Sequence, residues 1–364
     1  MNTSAVPAPG RGGAPDSGAS GSVVIVGCGI AGWTVARELR QREPDRPITL
    51  VCADQGHFYA KPMLSNALAQ NKAAGHLIQK TAALQAQSLR ATVLPHTRVA
   101  AIERAARRLI MASSSSAPSP LPYKQLVLAL GADAISLATP GLEHAHSVND
   151  IDDYHRFRNA LTAAGPGARV AIVGGGLIGS EFANDLAIGG YRVSVVDPAR
   201  WLIGNLITAD NGAALRAALA GLGVEFYLED VVNTVERQAD GCYRIALRSG
   251  TTLEADLILS AVGLRPRVSL AELAGLNVAR GILVDEMGRT SDPDIYALGD
   301  CAAYTSAARP DVAGGAARVL PYIMPTMTAA KAIAATLAGQ PTPVRFGPMA
   351  VRVKTPALPL TISS

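Results

Sequence analysis

Two sets of three glycines, each with spacings of two and three residues, follow runs of aliphatic residues in this chain. The first set is Gly27, Gly29 and Gly32, and the second is Gly174, Gly176 and Gly179. In such a turn the first glycine allows a tight bend, the second lets the backbone approach a pyrophosphate, and the third lets the helix pack on the strand. The phosphates then lie at a helix N-terminus, where free N–H groups favour negative charge. The spacing therefore predicts two dinucleotide sites.

Each glycine turn belongs to a larger repeat of strand, turn, helix and second strand. Residues 23–40 (VVIVGCGIAGWTVARELR) and 170–187 (VAIVGGGLIGSEFANDLA) align with a constant offset of 147 residues. The second strands end in Asp54 and Asp197, which lie 22 and 18 residues after the third glycine. An acid roughly 20 residues on can accept hydrogen bonds from a ribose. One such turn is weak evidence alone, but the ordered repeat makes an ordinary glycine-rich turn a poor alternative.

Two dinucleotides on one chain indicate electron transfer between them. FAD and NAD(P)H are the natural pair, since a nicotinamide gives the hydride that a flavin accepts. Asp197 favours NADH, because a carboxylate at that ribose repels a 2′-phosphate. Arg200 lies three residues after Asp197. It weakens this preference a little, because an arginine at such a position can accommodate the 2′-phosphate of NADPH.

Composition excludes several other functions. The chain has 364 residues, a net charge of +4, 49% hydrophobic residues and only 4% aromatic residues. Large cores can be buried, whereas stacking surfaces for single-stranded nucleic acid and a strongly basic DNA-binding face are not expected. The longest apolar run, residues 23–36, is shorter than the roughly 20 residues of a membrane span.

The cysteines argue against metal and disulfide chemistry. Their positions are Cys28, Cys52, Cys242 and Cys301. No CxxC, CxxxxC or Cys/His metal spacing occurs among them. We therefore predict no metal site, no disulfide framework and a reducing, cytoplasmic location.

The motifs together resemble those of the pyridine nucleotide-disulfide oxidoreductase family over residues 22 to about 360. Besides the repeated turn, LVLALGA (126–132), SAVGLRP (260–266) and TSDPDIYALGDCA (290–302) are similar to motifs of that family. The resemblance implies an α/β fold with two Rossmann-like, three-layer ββα dinucleotide-binding domains, of which the NAD domain is inserted into the FAD domain. Predicted parts are a disordered tail (1–21), a discontinuous FAD-binding domain (22–145 and 268–338) and an NAD(P)H-binding domain (146–267).

Residues 339–364 would be the remnant of a C-terminal α+β interface domain. Members of the family usually end in a larger third domain, so this domain is expected to be truncated. An exposed flavin and an open sheet edge would follow.

Within the family, the chain resembles the members that lack a redox disulfide. YAKPMLSN (59–66) and VRVKTPALPL (351–360) are similar to rubredoxin reductases rather than to oxygenase-type ferredoxin reductases. This implies an NADH-dependent flavoprotein that takes hydride at FAD N5 and passes single electrons to rubredoxin. Alternatives are a ferredoxin or nitrite reductase component, an NADH oxidase, or a non-catalytic FAD- and NADH-binding sensor.

The resemblance also implies particular site residues. For FAD these are Gly27, Cys28, Gly29, Ile30, Ala31, Gly32, Cys52, Ala53, Asp54, Lys61, Pro62, Val99, Ala129, Gly131, Asp300 and Ile323. For NADH they are Gly174, Gly176, Ile178, Gly179, Asp197 and Gly263.

Glu181 and Lys354 are expected to act where the two cofactors meet, and to pair with each other. The simpler alternatives are a first-turn helix acid for Glu181 and plain surface lysines for Lys61 and Lys354. Asp300 could likewise be an ordinary turn residue. A basic cluster of Arg98, Arg104, Arg107 and Arg108 could attract an acidic partner, although a solvated hairpin face is the more ordinary reading.

Overall fold

The structure is a computed structural model that describes residues 21–113, 120–305, 316–348 and 350–363. Residues 1–20 of the predicted disordered tail lie outside these ranges, as do residues 114–119 of SSSSAPSPLP (113–122), whose composition predicts a loop. The helices are α1 (Ile30–Arg42), α2 (Ala74–Leu77), α3 (Ala82–Leu89), α4 (Ile151–Ala164), α5 (Leu177–Ile188), α6 (Ala209–Ala220), α7 (Ser269–Leu273) and α8 (Ile323–Leu337). Short 3₁₀ helices span Lys61–Asn66, Leu142–His144 and Gly299–Cys301.

The first glycine turn lies at the carboxyl end of a five-stranded parallel sheet. Its strands, in spatial order, are Ile295–Ala297, Gln125–Leu128, Val23–Val26, Ile48–Val51 and Thr92–Leu94. The central strand is fully buried and aliphatic, as expected for a sheet covered on both faces. One edge strand comes from residues 295–297, beyond the whole second repeat, so the chain returns to complete its first sheet.

The second turn lies at the end of a four-stranded parallel sheet. Its strands, in spatial order, are Glu225–Leu228, Arg192–Asp197, Arg169–Val173 and Leu257–Ser260. All four come from one continuous segment. The two parallel sheets confirm the Rossmann-like α/β fold, while the predicted domain boundaries stay a prediction.

We call the part of the molecule built on the five-stranded sheet its first half, and the part built on the four-stranded sheet its second half. The central strand of the second sheet shows why the second half has three layers. Val170 and Ile172 pack into a core with helix residues such as Phe182 and Leu215, whereas Ala171 and Val173 pack on the opposite side. That side is covered by an antiparallel meander of strands Val232–Arg237, Tyr243–Leu247 and Thr252–Ala255. Alternate side chains of one strand therefore face helices and meander respectively, as the period of two requires.

The first half carries smaller antiparallel and mixed sheets beside its parallel sheet. One contains strands Val99–Glu103, Arg108–Met111 and Leu121–Pro122, and another contains Ile282–Val284, Ala302–Tyr304 and Arg318–Val319. Two-stranded pairs join Phe58–Tyr59 to Ile78–Lys80 and Ala132–Ala134 to Leu264–Pro266. The last pair connects the two halves of the molecule.

The pattern of residues 326–338 predicts a helix with Thr326 as its N-cap and Gly339 as its stop, but helix α8 begins earlier. The predicted start with Thr326 as the N-cap is wrong, because Tyr322 occupies the cap position and the Thr326 hydroxyl donates back to the Tyr322 carbonyl. Pro325 lies within the first turn, where its missing N–H costs nothing. The predicted stop at Gly339 is confirmed by its positive φ of 79° directly after the cap residue Ala338.

Residues 350–363 form a hairpin of strands Ala350–Val353 and Leu360–Ser363. Val353 and Ile362 are buried in the core that contains Phe157 and Phe182 of α4 and α5. The hairpin therefore packs on the second half of the molecule and carries Lys354 with it. Across the described ranges, no helix has the length and apolar character needed to cross a membrane.

Candidate functional site: two glycine turns and the seam between them

The first turn has the geometry that a dinucleotide requires. Gly27 has a φ of 114°, and a Cβ there would lie 2.1 Å from the Ala129 carbonyl oxygen. A Cβ on Gly32 would lie 1.9 Å from the Gly27 carbonyl oxygen, whereas a Cβ on Gly29 would meet nothing within 4 Å. The outer two glycines are thus required by the protein's own packing. The middle one faces open space, which is where a pyrophosphate would approach.

The second turn repeats this arrangement. Gly174 has a φ of 108°, and a Cβ on Gly179 would lie 1.8 Å from the Gly174 carbonyl oxygen. Again the middle glycine, Gly176, faces open space. Gly29 and Gly176 are the N-caps of α1 and α5, and neither offers a side-chain cap. The first-turn N–H groups of both helices are therefore oriented towards the open space, as anion binding requires.

The two acids after the second strands differ in their partners. Asp54 accepts a hydrogen bond from Gly56 N at 2.8 Å. Asp197 accepts from Gly175 N at 2.5 Å with one oxygen and from Ala199 N at 2.7 Å with the other. Each carboxylate oxygen has two acceptor sites, so Asp197 can hold the glycine turn and still accept ribose hydroxyls.

The second predicted FAD motif lies beside the first turn. A Cβ on Gly299, whose φ is 75°, would lie 3.3 Å from the Ala31 side chain and 3.9 Å from Thr326. The Gly299–Cys301 helix therefore brings Asp300 between the start of α1 and the start of α8. Helix α8 begins at Ile323, so Ile323, which is predicted to contact the flavin, lies on the first turn of this helix.

Lys61 is half-buried, and it lies near charges that come from distant parts of the chain. Burial lowers the pKa of Lys61, Asp300 counters that shift, and Arg267 adds to it. Arg267 itself donates to the Leu130 carbonyl at 3.1 Å, next to Gly131. Lys61, Asp300 and residues 129–131 therefore lie around one region of the structure, although they are far apart in the sequence.

The cysteines of the first half are packing residues. Cys28, Cys52 and Cys301 are buried and free. Burial raises the pKa of the Cys28 thiol, and the neighbouring Cys52 thiol raises it further. Burial also raises the pKa of Cys301 to about 11. Thiols held protonated in this way are poor nucleophiles, so they are not suited to relay electrons.

The predicted pairing of Glu181 with Lys354 is present in the structure. Glu181 has no exposed surface, and its Oε2 accepts from the Lys354 ammonium and from the Ser65 hydroxyl, the latter at 2.6 Å. Its Oε1 accepts from Lys354 N at 2.9 Å. We call Ser65, Glu181 and Lys354 the Glu181 cluster. It joins the Lys61–Asn66 helix, α5 and the C-terminal hairpin at one point. We call the contact of α5 with these two segments the seam.

Sequence reasoning missed the other polar residues on this face of α5. Asn184 Oδ1 accepts from Ala357 N at 3.1 Å, and Asp185 accepts from Leu68 N and Ala69 N, both at 2.9 Å. A signal was available, since Glu181, Asn184 and Asp185 have the i, i+3, i+4 spacing of one helix face in an otherwise apolar helix. Such a polar stripe on a buried helix indicates a contact with other polar groups rather than with solvent.

For some predicted site residues, the structure gives a position but no contact that bears on cofactor binding. Val99 pairs with Met111 in a small sheet, Pro62 is half-buried in the Lys61–Asn66 helix, and Ile178 is 41% exposed in the first turn of α5. Gly263 has a φ of 109°, and its carbonyl accepts from Ile135 N where the two halves join. Their roles towards a cofactor stay predictions.

The basic cluster is largely neutralised by acids of the same chain. Arg104 pairs with Asp292 at 2.8 Å, and Arg107 and Arg108 pair with Asp294 and Glu103. This favours a solvated hairpin face over a docking patch. Among the described residues there is also no group of three His, Cys, Asp or Glu side chains that could hold a metal ion.

Comparisons with known proteins agree with this geometry. The profile of the family described as pyridine nucleotide-disulphide oxidoreductase matches residues 21–332. The chain is 42% identical over 345 residues to a rubredoxin-NAD(+) reductase from Alcanivorax borkumensis, with 93% of this chain and 85% of the relative covered. It is 36% identical over 348 residues to a nitric oxide reductase FlRd-NAD(+) reductase from Aeromonas hydrophila, with 96% and 85% covered.

A solved structure extends the likeness to three dimensions. The covalent putidaredoxin reductase–putidaredoxin complex contains a chain that superimposes with a TM-score of 0.85 at 27% identity. The superposition covers 95% of this chain and 81% of that chain.

Proposed function

Because the chain belongs to the pyridine nucleotide-disulphide oxidoreductase family, we propose that it is an NADH-dependent flavoprotein reductase that delivers electrons to rubredoxin. The observation that carries this proposal is the pair of glycine turns, each with a middle glycine that faces open space. Two dinucleotide sites joined by a buried seam suit electron transfer between two bound cofactors.

The first turn would hold the ADP half of FAD. Residues 27–32 offer the helix N-terminus to the pyrophosphate, and residues 52–54 lie at the end of the neighbouring strand for the ribose. The flavin half would lie near Lys61, Pro62, Val99, Ala129, Gly131, Asp300 and Ile323. When bound, FAD supplies a ring that accepts a hydride and releases electrons one at a time.

The second turn would hold NADH, with Gly174, Gly176, Ile178 and Gly179 at the pyrophosphate and Gly263 beyond it. Asp197 supports NADH over NADPH, because its carboxylate is fixed by two backbone N–H groups and cannot turn away from a 2′-phosphate. The start of α5 thus faces the donor while the Glu181 cluster, one turn further on, faces the seam.

Glu181 and Lys354 would orient the cofactors rather than transfer protons. Glu181 is held by a hydroxyl, an ammonium and an amide, so its position is defined before any cofactor binds. Preorganised groups of this kind contribute by positioning and electrostatics. Lys354, whose side chain is 22% exposed, presents the positive charge of the pair.

The choice of acceptor rests on relatives and on the thiols. The relative at 42% identity is named a rubredoxin-NAD(+) reductase, and the buried cysteines offer no internal thiol relay. Electrons would therefore leave the flavin for an external iron protein. The free cysteines also support the cytoplasmic location that we propose, which cell fractionation would test.

The proposal is tested by anaerobic addition of NADH, and separately NADPH, to the purified protein. We expect yellow protein with one FAD per chain, bleached by NADH more rapidly than by NADPH. Rubredoxin, a ferredoxin and oxygen are then offered in parallel, and rubredoxin should reoxidise the flavin fastest. Protein that carries no flavin would refute the proposal. Bound FAD that stays oxidised would favour a non-catalytic sensor, and faster reoxidation by oxygen or ferredoxin would favour those rival activities.

A further inference from the structure

Residues 61–69, which we call the anchor segment, leave the first half of the molecule and lie against α5 of the second half. The segment contains the 3₁₀ helix Lys61–Asn66 and the turn that follows it. It carries Lys61 and Ser65, so two groups of the candidate site depend on where it lies. Ser65 contacts Glu181 in its middle, and the amides of Leu68 and Ala69 contact Asp185 at its end.

Asp185 holds that end of the segment with both carboxylate oxygens. Leu68 N donates to Oδ2 and Ala69 N donates to Oδ1, each at 2.9 Å, and the residue is only 3% exposed. Two bonds to consecutive amides fix the height and the rotation of the backbone together. The Leu68 side chain also packs on the core of the second half, but an apolar contact alone leaves the segment free to slide.

Asp185 and Glu181 belong to the same face of α5, four residues apart. The amides held by Asp185 therefore stand at a fixed distance from the carboxylate that binds Ser65 and Lys354. A buried charge is expensive, and well-packed apolar residues often serve stability as well or better. Its presence at this position suits a role in fixing the register of the segment on α5, which is the best-attested use of buried charge.

We propose that Asp185 is a positioning residue, which sets the distance of Lys61 and Ser65 from Glu181 by holding the anchor segment on α5. The inference rests on the proposed function, because its effect is read out as the rate of flavin reduction by NADH. It concerns a different group from the glycine turns, so the two can fail independently.

Titration of Asp185 gives the proposal a distinctive signature. Burial raises the pKa of Asp185 to about 6, against the lowering effect of the two amides and of Arg158, and Glu181 raises it further. Tyr154 of α4 faces the same region, and Lys354 acts through Glu181. Below about pH 6 one oxygen becomes a hydroxyl and ceases to be a good acceptor for an amide. Flavin reduction should therefore slow as the pH falls.

The stability of the fold should respond in the opposite direction. The pKa in the folded state is above the ordinary value of 3.8, so the folded state binds the proton more tightly than the unfolded state. The contribution of Asp185 to the free energy of unfolding therefore increases as the pH falls through 6. A residue with a merely structural role would not slow the reaction while it stabilises the fold.

The test compares wild type with Asp185→Asn, which keeps the shape but leaves one amide without an acceptor. At about pH 7.5 we expect full FAD content, and an NADH dissociation constant within about threefold of wild type. The limiting rate of flavin reduction should fall about tenfold or more, since a misplacement of ~1 Å can cost about 100-fold. The acid limb near pH 6 should be absent from this variant.

Two further variants make the test decisive. Ala69→Pro removes one donor from the other side, at the second position of the turn closed by Asn71 N and the Leu68 carbonyl, where proline is favoured. It should slow flavin reduction in the same direction, and it decides the matter if Asp185→Asn does not fold. Glu38→Gln is the matched control, because Glu38 lies 147 residues before Asp185 in the first repeat and is 7% exposed. It should leave the rate unchanged.

Several results would overturn the inference. One is a rate within about twofold of wild type in both Asp185→Asn and Ala69→Pro. Others are an acid limb that persists in Asp185→Asn, or loss of FAD with an unchanged rate per bound flavin, which would indicate a structural role alone. Wild-type flavin that NADH does not reduce would instead refute the proposed function.

Discussion

The two glycine turns are nearly identical in backbone geometry, yet the helices that follow them have different surroundings. The first glycines have φ values of 114° and 108°, and the third glycines would place a Cβ 1.9 and 1.8 Å from a carbonyl oxygen. Beyond the turn, α1 is packed against α8 within the first half. Helix α5 instead directs polar side chains at the anchor segment and at the hairpin.

Equivalent positions show how the second helix differs. Thr34 and Glu38 of α1 correspond to Glu181 and Asp185 of α5. Glu38 pairs with Arg42 at 3.1 Å within its own helix, whereas Glu181 and Asp185 bond residues 116–173 positions away in the chain. The two repeats therefore share one turn geometry, whereas the helix face behind the second turn contacts distant segments of the chain.

The largest expected effect comes from adding a methyl group to the third glycine of each repeat. Gly32→Ala should give protein without FAD, and Gly179→Ala should keep FAD but bind NADH about 100-fold more weakly, since overpacking costs about 1–3 kcal/mol. Flavin absorbance and NADH titration measure the two losses. Gly75→Ala, where a Cβ meets nothing within 4 Å, is the control. Equal losses of both cofactors in both variants would show that the turns are not separate sites.

Breaking the Glu181 cluster should have the next largest effect on the cofactor reaction, and it should also destabilise the fold. Lys354→Met leaves a carboxylate with no exposed surface beside an apolar side chain, and removal of one partner of a buried pair costs about 3–5 kcal/mol. The side chain of Lys354 is 22% exposed, so the lower end is expected in urea unfolding. Flavin reduction by NADH should also slow.

The double variant Lys354→Met, Glu181→Gln serves as the control for this change, because it removes both charges and should recover part of the stability. Unchanged flavin reduction in Lys354→Met would contradict a role for this lysine at the cofactors.

The two strand-end acids should differ in cofactor selectivity. Asp197→Ala removes the acceptor for two N–H groups and for the ribose, so KM for NADH should rise by at least about tenfold, since a charge-assisted bond contributes about 1.5–3 kcal/mol. The preference for NADH over NADPH should shrink with it, as steady-state kinetics with both donors would show. Asp54→Ala should leave this preference as it is. A preference that changes equally in both variants would contradict the assignment of the second repeat to the nicotinamide cofactor.

The smallest effect concerns thiol reactivity. Cys242 is the partly exposed cysteine, whereas Cys28, Cys52 and Cys301 are buried in the first half. A disulfide reagent should label one thiol in native protein and four after unfolding. Asp240 raises the pKa of Cys242, so labelling should accelerate as the pH rises towards and above 9. Native labelling that survives Cys242→Ser would show that the first half opens more readily than its burial suggests.

The repeat was readable from the sequence because its glycines are dictated by local sterics. A tight bend and a close helix–strand contact need glycine at fixed spacings, whatever the rest of the chain does. The predicted start of α8 is wrong for an equally local reason, since threonine is favoured at N-caps but here donates its hydroxyl to the Tyr322 carbonyl inside the first turn.

The contacts of the seam could be predicted only in part. The sequence predicts the Glu181–Lys354 pair, but it does not predict the bonds of Ser65, Asn184 and Asp185. Their partners are separated by 116–173 residues, and nothing local specifies which backbone amide a buried acid will meet. Such contacts depend on how the two halves pack against each other, which local sequence patterns do not specify.

The edge strand Ile295–Ala297 has a consequence for the order in which the molecule is made. The second sheet is built from residues 169–260 alone. The first sheet needs residues 295–297 for its edge strand, and helix α1 needs residues 323–337, which form its packing partner α8. Chains emerge from the ribosome N-terminus first and fold by domains, and non-local pairing is slow. The repeat that is synthesised first is therefore completed last, so FAD capture during synthesis should follow the completion of the half that contains the second glycine turn.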